Sequence, residues 1–218
     1  MADIFHEVDE EVRREQLKKL WERHGHYIVA LAVLLVLAVA AWRGYDYWQT
    51  KKAAEAGAAF EAALTLSEQG KHEEAAAAFA KIAAEGTSGY RALARLREAA
   101  DLARRDPQAA VKLYDEMAAD RGAGQVVQDL AALRAGMILV DSAPYDEMRR
   151  RLEPLTERGS PFHHSARELM ALSAWRAGDL AAAQRWFDMI TNDPETPAGT
   201  RQRVEVLMAL VASQGKGG

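Results

Sequence analysis

From Tyr27 to Trp42 every residue is apolar or aromatic, and the nineteen residues between Arg23 and Arg43 carry no formal charge. A helix of that length spans roughly 28 Å at about 1.5 Å per residue, close to the roughly 30 Å hydrocarbon core of a bilayer. Aromatic side chains stand at both ends: Trp21 and Tyr27 at the entry, and Trp42, Tyr45, Tyr47 and Trp48 at the exit. Arg23 and Arg43 can extend their charged heads toward the headgroups. The pattern predicts a transmembrane helix over residues 24–48 with an aromatic belt at each interface.

Two rivals share the apolar run. A core helix of a soluble protein rarely carries belts at both ends of such a stretch. A secretory signal cleaved after Ala40 would use Ala38-Val39-Ala40, but it needs a basic leader. Residues 1–23 hold seven acidic and five basic side chains, so an uncleaved anchor is favoured. Five positive charges precede the span, against Arg43, Lys51 and Lys52 soon after it, which predicts a cytoplasmic N-terminus. Ile4, Val8, Val12, Leu17 and Leu20 or Trp21 recur at helical spacing between charges. They predict a cytoplasmic amphipathic segment over residues 1–23, acting as an interfacial helix or a docking site.

Beyond the span the pattern changes to alanine-rich helices broken at regular intervals. Aligning the breaks gives GKHEEAAAAF from Gly70, RDPQAAVKLY from Arg105, APYDEMRRRL from Ala143 and GDLAAAQRWF from Gly178, at intervals of 35, 38 and 35 residues. Each block ends in a pair spaced by four: Ala75 with Phe79, Ala110 with Tyr114, Met148 with Leu152, and Ala183 with Phe187. Residues four apart share a helix face, so a small residue admits the neighbouring helix while the large one fills the groove beside it. Partner helices lie between the blocks, marked by Phe60 and Leu64, then Leu93 and Leu96, then Leu130, Leu133 and Met137, then Leu169, Leu172 and Trp175. A closing helix is expected from about Pro197 to Ser213. The fold class is all-α: one N-terminal membrane helix followed by an α-solenoid of helix-turn-helix hairpins over residues 49–213, with a disordered tail at 214–218.

Composition narrows the function. With no cysteine there is no zinc ribbon, iron–sulfur cluster or thiol nucleophile. A net charge of −4 argues against nucleic acid as the main partner. No G-x-S-x-G, phosphate loop or H-E-x-x-H is present, so an enzyme is the least favoured class and no cofactor is expected. His163 and His164 are adjacent, and neighbouring helix positions point about 100° apart, so a shared metal is not expected; His24 and His26 sit at the membrane boundary. Glu73 and Glu74 open a helix, where acids favour the dipole.

The period near 34 and the A-x-x-x-F second helix resemble the tetratricopeptide repeat. The small residue of the first helix is matched by Ala63, Gly136 and Ala171 but replaced by Glu98 in the second repeat. Taken whole, the opening DIFHEVDEEVRREQLKKLWERHG, the span directly after it, the YDYWQ exit segment and EAAAAFAKIA resemble the membrane-anchored, tetratricopeptide-like ancillary subunits of the bacterial Sec translocon. That resemblance implies a bacterial inner-membrane protein with its repeats in the periplasm. Its partners would be the translocon and periplasmic chaperones or exported chains, and a homo-oligomer stays open. A scaffold for envelope assembly or cell division remains an alternative, as does a regulatory membrane protein binding a cytosolic stress regulator through residues 1–23. By the family spacing, the residues facing a partner groove are Phe60, Leu64, Arg95, Ala99, Leu133, Met137, Leu172, Trp175 and Arg176.

Overall fold

The computed structural model of the chain describes the backbone of residues 3–214 and the side chains of Lys18 and residues 21–211. Among the described residues nine α-helices run in order: α1 (Asp3–Glu68), α2 (His72–Glu85), α3 (Ser88–Leu102), α4 (Pro107–Ala119), α5 (Gln125–Leu139), α6 (Tyr145–Leu152), α7 (His163–Arg176), α8 (Leu180–Thr191) and α9 (Ala198–Gln214). Short 3₁₀ turns at Arg121–Ala123 and Glu153–Thr156 complete the order, and no strand occurs among the described residues. The expected tail at 214–218 falls, apart from Gln214, outside the described residues, as do the side chains of the expected amphipathic stripe before Lys18.

The chain divides into two units, the first ending at Ala54 and the second beginning at Glu55. The described residues of the first unit are helical, and the side chains of its apolar run find no cover among them. An 18-residue window of mean hydropathy 2.2 is only 6% buried. Leu31 is 67% exposed, and Leu34, Leu35, Val36 and Leu37 are similar. Trp21 folds back over Gly25, where an added Cβ would meet the indole at 3.3 Å.

The second unit is a stack of hairpins. Positive φ at Gly70, Gly124 and Gly178, between 77° and 81°, makes the turns before α2, α5 and α8. Asp106 and Asp179 cap α4 and α8 by accepting from the backbone N–H of Ala109 (3.0 Å) and Ala182 (2.8 Å). Pro107 follows its cap at the first helical position, where its missing N–H costs nothing. All four small-or-medium and large pairs read from the sequence are buried: Ala75 and Phe79, Ala110 and Tyr114, Met148 and Leu152, Ala183 and Phe187. Ala63 and Ala171 are fully buried, and Gly136 lies so close to Leu152 that a Cβ there would fall 2.9 Å from Cδ2.

The core falls into three clusters. The first joins the end of α1 to α2 and α3 through Ala63, Phe79, Ile82 and Ala94, with the Phe60 and Phe79 rings 5.2 Å apart, edge to face. The second and largest fills α3 to α7 around Tyr114, Met117, Leu133, Leu152 and Met170. The third packs α7, α8 and α9 around Phe187, Ile190 and Val204. Burying side chains of this size contributes about 1.5–3 kcal/mol each, which is what holds otherwise marginal short helices in place.

Polar side chains join successive repeats at close to the repeat period. Ser67 donates to Asp101, Arg151 to Asp115, Arg176 to the Ala143 carbonyl and Arg203 to Glu168, at sequence separations of 34, 36, 33 and 35. Trp186 Nε1 donates to Tyr145 Oη at 2.9 Å between the second and third clusters. These bonds fix which hairpin follows which, a specificity that apolar contacts alone supply poorly.

Candidate protein-binding surfaces

Two surfaces offer themselves to other molecules, one in each unit. In the first unit the aromatic side chains Trp21, Tyr27, Trp42, Tyr45 and Trp48 are all at least half exposed, the largest value being 74% at Trp42. Arg23 and Arg43 are exposed as well. Lys52 places its Nζ 4.0 Å from the centre of the Trp48 ring, and Gln49 donates to Tyr45 Oη at 2.7 Å. A cation over an indole beside a phenol suits a boundary where one end of each ring is apolar and the other wet. Moving the Leu and Val side chains of the run out of water would gain about 1.5–3 kcal/mol apiece, far more than any surface charge pair supplies.

In the second unit a cleft of about 410 Å³ opens between α2, α3, α4 and the start of α5, lined among others by Ser88, Arg91, Arg95, Met117, Asp120 and Val127. Arg95 is half-buried and reaches Asp120 Oδ2 at 3.4 Å and Glu116 Oε2 at 4.0 Å. Glu98, one turn on, is held above the ordinary carboxyl range, chiefly by burial, with Arg95 opposing and Glu116 adding to the rise. Around the second unit Leu93, Val126 and Met137 expose large apolar surface, Met137 at 49%.

The residues singled out in the sequence divide by environment. Ala99 and Leu133 are buried in the second cluster, where they pack hairpin on hairpin. Phe60 and Leu64 are half-buried against the first cluster and Trp175 against the third. Leu172 is half-buried. Arg176 is exposed, yet its guanidinium is tied to the Ala143 carbonyl. Met137 lies on the surface and Arg95 is half-buried, and of the expected groove residues only Arg95 lines the cleft. Sequence reasoning missed the rest of that lining: Arg91 from α3, Asp120 from the connection after α4 and Val127 from α5 come together, and no motif announces them.

At one place the side-chain geometry departs from helix-wheel spacing. The His163 and His164 rings do not diverge; their centroids lie 3.8 Å apart, and Asp193 joins them, with one ligand atom from each side chain within 4.8 Å of the others. His163 is the first residue of α7, so no preceding helical turn confines its ring.

Comparison with known proteins bears on the whole arrangement. The family described as "Tetratricopeptide repeat-like domain" matches residues 18–189. A relative from Haemophilus influenzae, named "Ancillary SecYEG translocon subunit", is 24% identical over 188 residues, covering 85% of this chain and 90% of the relative. No solved structure matches the chain.

Proposed function

The chain belongs to the tetratricopeptide repeat-like domain family, and from that membership we propose a non-catalytic, membrane-anchored scaffold that serves the protein-export translocon as an accessory subunit. The observation that carries the reading is the uncovered apolar run of α1 in the same chain as a hairpin stack. One surface is built to lie in lipid or against a membrane partner, the other to hold a polypeptide. The relative named for the translocon supports the choice of partner, because the likeness extends over most of both chains.

In finer detail, residues 1–23 form the cytoplasmic segment, residues 24–48 the membrane helix, and residues 49–213 the repeat domain on the periplasmic face of the inner membrane. There the stack meets exported chains or the chaperones that attend them. Arg95, Met137 and the half-buried Leu172 and Trp175 are the contacts within the repeat domain. The stack needs no catalytic group for this: the work is to hold one chain near another, and effective concentration supplies the gain.

A photoreactive residue at Leu34 tests the first surface and one at Met137 tests the second, both in living cells. Adducts with translocon subunits from Leu34, and with exported chains or periplasmic chaperones from Met137, are expected. Adducts confined to cytosolic proteins from both positions would overturn the proposal and favour a regulatory role.

A further inference from the structure

We propose that His163, His164 and Asp193 bind a borderline divalent transition-metal ion of the zinc kind, which staples the start of α7 to the connection between α8 and α9.

The tautomers are set by the partners. His163 Nδ1 lies 2.8 Å from the Ser160 carbonyl, which can only accept, so that nitrogen carries the proton. Thr196 Oγ1 donates to the Ile190 carbonyl at 2.7 Å and therefore accepts from His164 Nδ1 at 3.2 Å. Each neutral ring is left with a bare lone pair on Nε2, and an Nδ1–H held by an oxygen acceptor is the arrangement that orients metal-binding histidines.

His163 is 8% exposed, and its Nε2 is buried without a hydrogen-bond partner. That nitrogen faces Asp193 Oδ2 at 3.8 Å, acceptor toward acceptor. The distance is too long for a hydrogen bond, which wants about 2.7–3.2 Å. It fits two ligands across one ion, because bonds of about 2.0–2.1 Å at tetrahedral or wider angles separate donors by roughly 3.3–3.8 Å.

The surrounding charges select the ion. Asp193 Oδ1 accepts from the Glu195 N–H at 3.1 Å, while Oδ2 also holds Arg167 Nη1 at 3.0 Å and has Arg158 Nε at 3.9 Å. Two guanidinium groups oppose any cation there. Only an ion that gains from imidazole nitrogen overcomes them, which excludes magnesium and calcium and their oxygen cages.

The test uses the full chain in detergent micelles, made without a polyhistidine tag and stripped with chelator. Titration with zinc chloride, followed by calorimetry and thermal unfolding, should show one saturable site per chain and a melting midpoint that rises with free zinc. His164→Gln, at a half-buried ring, should keep the metal-free midpoint while weakening binding at least tenfold. His24→Gln/His26→Gln should bind as the unaltered chain does. Absence of saturable binding with zinc in excess over protein overturns the site, and so does unchanged binding by both His164→Gln and Asp193→Asn.

Discussion

At Gly136 a missing side chain decides how closely α5 and α6 meet. Glycine inside a helix costs about 1 kcal/mol relative to alanine, so Gly136→Ala should gain that much from propensity. Against it, the new Cβ would lie 2.9, 3.0 and 3.2 Å from three atoms of Leu152, a side chain with no exposed surface and nowhere to go. Overpacking of this kind costs about 1–3 kcal/mol, and Gly136→Val, with two further methyls, lies beyond the point where propensity can compensate. Urea denaturation should therefore place Gly136→Val well below the unaltered chain, with Leu152→Ala partly rescuing it. Glu98 gives a second residue-scale expectation. Its carboxyl is raised in the folded chain by burial, so the fold favours its neutral form. The raised value means this contribution is intact at low pH and is lost as pH climbs from the unfolded carboxylate range, about 4.3, through the folded value. Glu98→Gln should thus show a melting midpoint whose advantage widens as pH rises above the ordinary carboxylate range; parallel curves would contradict the assignment.

Element by element, the hairpins were legible because their signals are local. Gly70, Gly178, Asp106-Pro107 and the alanine-aromatic pairs each act within one or two turns of helix, and each sits where that chemistry requires. Asp106→Ala and Asp179→Ala should each cost about 1 kcal/mol, within a range of 0.5–2, as one orphan N–H at the start of α4 or α8 loses its acceptor. A denaturation series on the single and double variants checks both the size and the additivity, since the two caps are on different hairpins. The repeat-to-repeat polar bonds were not legible. Arg151 and Asp115, or Arg203 and Glu168, are two charges among many, and only the stack says which meet. The same holds for the cleft, where Arg91, Asp120 and Val127 arrive from three separate parts of the chain. The approach of His163 and His164 to Asp193 was not legible for a related reason: helix-wheel geometry describes a helix interior, whereas the two rings stand at a helix start and the carboxylate comes from a distant turn.

For the whole molecule, the uncharged run was readable from composition alone, since a length matched to a bilayer needs no tertiary knowledge. Replacing Leu34 and Leu37 together by arginine should cost about 2.5–3.5 kcal/mol per residue against insertion and move the chain into the fraction released by alkaline carbonate. Retention in the pellet at unaltered levels would show that protein contacts, not lipid, hold it there. Within the repeat domain, the division of buried side chains into three separate nests has a consequence for damage. A truncation such as Phe187→Ala, at a cost of about 3–5 kcal/mol, removes its support from the last hairpins, while the nest around Phe79 touches none of the same atoms. Breakage then travels like a failed link in a zip fastener, sparing distant teeth, and a chain that has lost its far end could still keep its near one in working order.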